Sequence, residues 1–396
     1  AEDHINPNLL FVGTEFGVFF TLDGGENWVP LKSGLPTIAV RDIAIQEREN
    51  DLVLGTFGRG FYVLDNYSPL RELEYVLDQE AAFFTTKPGL LFRRANIGGT
   101  DYKGAQLYKA KNPEVGTTFE WYLAENAKRV KENRPEANNE LPHYPSLDQL
   151  QAEDWEEKPY LLFEISDSLG NPVARFTKSD SKGISRHTWD GRMSSKASIR
   201  TNGEPVTEAY GTTFVLPGTY FLSLSRATNG ALETLVERHE FKVNHLYNYE
   251  GIDMEFNQSV DALMAVSNQI NARYTELKED LNRLRAGLRN TPGASLEDLN
   301  TARSIDIELR ELGLLLKGDA TRTKREFEAG ASLGDVTGLL AWGTFNHRGA
   351  PTGSMRAMKE DAEAMIADAT AALEKIDEKL DQLEANAREQ GVPYWD

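Results

Sequence analysis

The chain has 396 residues, no cysteine, 40% hydrophobic and 10% aromatic residues, and a formal net charge of −19. Roughly two to four domains with their own cores fit this length. The composition excludes disulfides and zinc–thiolate sites, and the acidity without a basic stripe excludes a nucleic-acid binder.

Between residues 9 and 65 the runs LLFVGT, VFFTLD, VRDIAI, DLVLGT and GFYVLD are short and rich in Val, Ile, Leu and Phe. Turn residues separate them, which predicts strands. LLFVGTEFGVFFTLD and LVLGTFGRGFYVLD repeat one pattern: apolar run, Gly-Thr, aromatic, Gly, apolar run, Asp. Their spacing of about 44 residues is that of propeller blades. Within TLDGGENW, Asp23 is placed to accept hydrogen bonds from turn N–H groups, while Gly24 and Gly25 supply the positive φ of a tight turn. Trp28 is expected to bury its ring between neighbouring strands.

The residues Thr21, Asp23, Gly25 and Trp28 match the pattern Ser/Thr-x-Asp-x-Gly-x-x-Trp. With NPNLLFVGTEFGVFFTLDGG, LPTIAVRDIAI and DLVLGTFGRGFYVLDN, they resemble the last blades of exported bacterial sortilin-like and Asp-box (BNR, sialidase-like) β-propellers of the glycosyl-hydrolase type. The resemblance covers residues 1–69 and implies a structural Asp-box, not a catalytic one. It also makes Arg41 and Arg59, the latter inside Gly58-Arg59-Gly60, the candidates for a ligand or inter-blade contact. A propeller takes roughly four to eight four-stranded blades, and this segment supplies only the last one to two. The remaining blades are therefore expected upstream, on the same precursor or on a companion chain.

Residues 70–114 read as a connector, broken at Lys87-Pro88-Gly89. Asp101 there is a lone carboxylate without spaced partners and reads as a solvated turn, not a metal ligand. Residues 115–245 alternate as a β-sandwich with a polar insertion near 128–158, and Ser168–Asn171 and Asn229-Gly230 read as hairpin turns. TWDGR followed by VLPGTYFLSL resembles the Ig-like module of flagellar hook-capping proteins. The resemblance implies Trp189 as a core plug, Asp190-Gly191 as a turn, and Tyr220 on the following strand. His187 and His239 fall in strand patterns and read as packing or surface residues.

Residues 246–396 change period. Val260, Leu263, Val266, Ile270, Tyr274, Leu277, Leu281, Leu284 and Leu288 form one helical stripe. A second runs through Leu299, Ala302, Ile305, Leu309, Leu312 and Leu316 after a Ser295 N-cap. The third runs from Met358 to Leu383. Three such helices predict an antiparallel three-helix bundle, with SLGDVTGLLAWGTF as a shorter apolar element across it. The aromatics of the terminal VPYWD are expected to dock on a neighbouring element.

The sequence thus predicts a multidomain chain: partial β-propeller, Ig-like β-sandwich and antiparallel three-helix bundle. No catalytic residue, cofactor or metal ligand is assigned, and no P-loop, Rossmann or Gly-x-Ser-x-Gly motif is present. No apolar run reaches the roughly 20 residues of a bilayer span. The function implied is a non-catalytic binding or scaffold segment. Its expected partners are the N-terminal propeller portion and surface or secretion-complex proteins or a glycan. Two alternatives are a glycoside hydrolase with its active site in upstream blades, since residues 1–69 lack the required carboxylate pair, and a peptide-binding sortilin-like propeller. Export to the periplasm, outer-membrane surface or extracellular space follows from the resemblance. The opening residues AEDHINPNLL carry neither a basic nor an apolar targeting region.

Overall fold

A computed structural model describes residues 1–32, 34–92, 112–133, 145–196, 212–246, 251–347 and 349–393. The chain divides into two compact units. One holds Ala1–Gly191 and Pro217–Asn244, and the other Arg192–Leu216 and His245–Asp396.

The first unit opens with two antiparallel three-stranded sheets. Strands β1 (Leu10–Thr14), β2 (Gly17–Thr21) and β3 (Val29–Leu31) form the first, and β4 (Val40–Gln46), β5 (Asp51–Thr56) and β6 (Phe61–Leu64) the second. Alternation sorts each strand into two faces. Phe11, Val18 and Phe20 of the first sheet meet Ile43, Ile45, Leu52, Leu54, Tyr62 and Leu64 of the second in one core with Leu9, Val40 and Tyr67. Gly13 lies where Val40 crosses; a Cβ there would sit 2.8 Å from the Val40 carbonyl oxygen.

Asp3 closes this pair of sheets. Glu2 bridges to Leu10, and Asp3 N–H donates to the Leu9 carbonyl at 2.9 Å. The fully buried Asp3 carboxylate then accepts from Arg71 Nε at 2.7 Å and Nη2 at 2.6 Å, from Tyr67 Oη at 2.5 Å, and from the Asn6 N–H at 2.8 Å. Burial alone would raise the Asp3 pKa, but the Arg71, Tyr67 and Asn6 hydrogen bonds outweigh it and hold the carboxyl well below its ordinary range. Burial, reinforced by Asp3, pushes the Tyr67 phenol far above its usual value.

A 3₁₀ turn at Ser68–Glu72 and helix α1 (Leu73–Leu77) lead into β7 (Ala81–Phe83), β8 (Gly89–Leu91) and β9 (Thr117–Leu123). Helix α2 (Leu147–Asp154) starts on a Ser146 capping box and precedes β10 (Tyr160–Ser166), β11 (Pro172–Ser179), β12 (Gly183–Trp189), β13 (Gly218–Thr228) and β14 (Ala231–His245). They form a five-stranded sheet ordered β11-β10-β13-β14-β8 and a three-stranded sheet ordered β12-β9-β7. The two share an aromatic core. Trp121 meets Phe163 edge-on at 4.8 Å, Phe119 meets Phe241 at 4.8 Å, and Trp189 packs on both Tyr220 and Phe241. Asn229 (φ 48°) and Gly230 (φ 77°) make the left-handed β13–β14 turn, and Gly191 (φ 81°) turns the chain after Trp189.

The second unit is helical: α3 (Met254–Asn290), α4 (Leu296–Lys317), α5 (Ala320–Thr323), α6 (Leu333–Asn346) and α7 (Gly353–Glu389). Helices α3, α4 and α7 share one core running from Ile270 to Val392. The predicted stripes are the buried faces, except that Val266 is 39% exposed. Ser295 caps α4 through the Glu297 N–H. The apolar element of residues 332–345 is α6, which packs with Phe256, Val260 and Met355 in a second small core. The strap 192–196 with 212–216 belongs to this unit. Arg192 bridges to Phe214, and Asp261 of α3 accepts from the Thr213 hydroxyl at 2.5 Å.

Replacing Asp3 by Ala strands the Arg71 guanidinium and is expected to cost about 3–5 kcal/mol in urea unfolding. With its folded pKa below the unfolded value of about 3.9, Asp3 contributes stability that is fully present above that pH. It is lost as pH falls through the folded pKa. Wild type should therefore lose melting temperature on acidification below about pH 4 more steeply than Asp3→Asn.

Candidate functional site

The residues singled out in the sequence lie around the two sheets of residues 1–64. Thr21 is fully buried at the end of β2. Its hydroxyl donates to Asp23 Oδ1 at 2.5 Å and accepts the Gly25 N–H at 3.1 Å. Asp23 in turn accepts the N–H groups of Glu26 and Asn27, each at 3.0 Å, and the Asn27 side-chain amide at 2.7 Å. The Asn27 N–H is the largest influence holding the Asp23 carboxyl far below its ordinary range, followed by the Thr21 hydroxyl. All of these bonds come from residues 21–27, so the Asp23 carboxylate braces its own turn.

Trp28 departs from expectation. Its ring is 41% exposed, not buried between strands, and its indole N–H donates to the Gly25 carbonyl at 3.1 Å. The ring folds back on its own turn because β3 is the edge strand, and no further strand lies beyond it among the described residues.

Arg41 and Arg59 are both exposed. Arg41 lies over the Phe57 ring at 5.5 Å, and Arg59 stands in the β5–β6 turn between Gly58 and Gly60, both at positive φ. The two repeat turns are built alike: the Thr14 hydroxyl donates to the Gly17 carbonyl at 3.0 Å, and Thr56 to that of Gly60 at 2.7 Å. Each carries an exposed phenylalanine, Phe16 and Phe57. Both turns lie next to Ala39–Val40, since Gly13 abuts Val40 and the Phe57 N–H donates to the Ala39 carbonyl.

Register assigns the outer faces. On the first sheet Val12 sits opposite Phe19, and Phe19 opposite Pro30. On the second, Ala44, Val53 and Val63 form one row across three strands, and Asp42, Gly55 and Phe61 the next. Val12 is 38%, Val63 53% and Phe61 81% exposed. Each face turned away from the shared core therefore carries exposed apolar side chains, with Asp42 in the same row as Phe61 on the second sheet. By the repeat, Val53, Gly55, Phe61 and Val63 correspond to Phe11, Gly13, Val18 and Phe20. In the first sheet those positions are the ones covered by the second. At Gly55 the nearest atom to where a Cβ would stand is Asp42 Cβ, at 3.4 Å.

A polar cleft of about 740 Å³ borders the second sheet, lined among others by Glu49, Asp65, Lys87, Glu114, Arg186 and His187. Its two cations are each paired with a carboxylate, Lys87 with Glu49 and Arg186 with Glu120. Lys87 Nζ donates to the Glu49 carbonyl at 2.5 Å and to Glu49 Oε2 at 3.1 Å, and this lysine lowers the Glu49 pKa. Burial pushes the neighbouring Glu120 up, against the pull of Arg186 and Asn66. Two carboxylates with opposed shifts suggest an acid–base pair. The geometry argues otherwise: Glu120 gives one oxygen to Arg186 at 3.0 Å and the other to Asn66 at 3.0 Å. Glu120 braces the second sheet against β9 and β12.

The histidines behave as packing residues. His187 lies tilted against Phe176, ring centroids 4.5 Å apart, and His239 pairs with Thr86 at 2.8 Å and lies on Phe83. Burial depresses both pKa values. No group of three or more metal-capable side chains occurs among the described residues, and no helix there is long and apolar enough to cross a membrane. Asp101, most of the 128–158 insertion's centre and the last aromatics, Tyr394 and Trp395, lie outside the described residues. Sequence reading missed Asp3, Tyr67, Arg71 and Glu120. The only available signal was the run of polar residues at the strand ends.

No family model matches the chain, and no curated protein matches it significantly. Substituting Glu120 by Ala would leave Arg186 and Asn66 short of a buried partner and is expected to cost about 1–3 kcal/mol in urea unfolding. His187 and His239 should both titrate below about 6.5 when followed by NMR.

Proposed function

We propose that this chain is a non-catalytic binding and scaffold segment of an exported, cell-surface or periplasmic β-propeller protein. In this reading the two N-terminal sheets are blades, and an upstream part of the same precursor or a companion chain supplies the rest. One observation carries it: the sheet pair has a filled core between its layers and an apolar face on each outer side, from Val12 and Phe19 to Val53, Phe61 and Val63. Water-exposed apolar faces spanning three strands on both sides of a sheet pair mark surfaces meant for burial.

The Thr21–Trp28 turn fits an Asp-box that rigidifies a blade. The facing sheets of residues 81–245 fit an Ig-like module, and α3, α4 and α7 fit a three-helix bundle; both are platforms for protein docking.

Intact mass and N-terminal sequencing of the native material, with identification of whatever co-purifies stoichiometrically, test the proposal. Further repeats of the apolar–Gly-Thr–aromatic–Gly–apolar pattern are expected, upstream or on a stable companion. A native protein that is monomeric and carries no additional repeats would refute it.

A further inference from the structure

The two open faces are not merely apolar; each has the character of one half of an interface that the chain already contains. Inside the sheet pair, the face carrying Phe11, Gly13, Val18 and Phe20 meets the face carrying Ile43, Leu54 and Tyr62. The repeat places Val53, Gly55, Phe61 and Val63 on a face of the first kind. It likewise places Leu10, Val12 and Phe19 where the second sheet has Leu52, Leu54 and Tyr62, a face of the second kind. One chain therefore presents, unused, a complementary pair: the outer face of the second sheet and the outer face of the first.

We infer that a second copy of this chain docks head to tail, its Val12–Phe19 face covering the Val53–Phe61–Val63 face of the first. The contact repeats the internal sheet-on-sheet packing, so its geometry is already realised once in the molecule. Because the two faces are different surfaces, the contact is heterologous, and each copy keeps one open face after pairing. The inference rests on the reading that these faces are built to be covered by like sheets, and it names a source that supplies one.

The test is sedimentation of the full chain across micromolar to submillimolar concentration, with thermal melts as the control for folding. Wild type is expected to gain mass with concentration, to twice the monomer and beyond. Phe61→Lys removes one kind of face and Val12→Lys the other, so each variant alone should stay monomeric. Mixed, they retain one intact face of each kind and should form a one-to-one dimer that grows no further. Should Val12→Lys fail to fold, Pro30→Glu, exposed in the same row, replaces it. Association of either variant alone would mean a like-to-like contact and would overturn the inference. So would a wild type that stays monomeric throughout; if native material still carried upstream repeats, the proposed function would survive that result.

Discussion

The amino-terminal sheets depend on a single buried carboxylate. Asp3 gathers Arg71, Tyr67 and the Asn6 N–H around two oxygens that water does not reach. Tyr67 and Arg71 follow both sheets in the chain, so the cluster ties the segment before the first sheet to the one after the second. A charge taken out of water is tolerated only when this fully ligated. Segments 1–9 and 67–71 consequently behave as one seam, closing the pair at one end. The seam explains how a core of only two layers holds its shape while both outer faces stay wet.

The same economy of contacts recurs elsewhere. Arg226, one of the few buried cations, reaches Asp180, Glu80 and the Glu125 carbonyl at the end of the facing sheets. Asp306 of α4 sits among Arg303 and Arg310 of the same helix and Arg285 of α3, and these arginines offset the cost of its burial. In the first cluster the buried Asp180 Oδ1 and Arg226 Nε make no hydrogen bond. In the cleft beside Lys87, that lysine and Arg186 pair with Glu49 and Glu120.

Much of this was legible in the residues alone. Strand runs such as LLFVGT and DLVLGT became β1 and β5 because Val, Ile and Leu between Gly-rich turns leave little alternative. The helical stripes became the buried faces of α3, α4 and α7, since spacing by three and four survives any tertiary context. The Thr21–Asp23 turn was readable because its hydrogen bonds are local. What escaped was long in range. Asp3 and Arg71 are separated by 68 positions and share no period. Trp28 looked like a plug, yet a ring can be buried only where a neighbour exists to bury it. The excursion of residues 192–216 to the helical unit was equally invisible, because Asp261 reaches Thr213 across 48 positions.

Gly55 closes the account. A glycine in mid-strand gives up backbone entropy worth roughly 0.5–1 kcal/mol against alanine, and a protein keeps such a residue where a side chain would obstruct something. At Gly13 the obstruction is plain, for Val40 passes overhead. At Gly55 the chain's own atoms leave ordinary room and φ is unremarkable. A methyl group at Gly55 would come no nearer than 3.4 Å to the chain, at Asp42, whereas at its twin Gly13 it would run into the Val40 carbonyl oxygen.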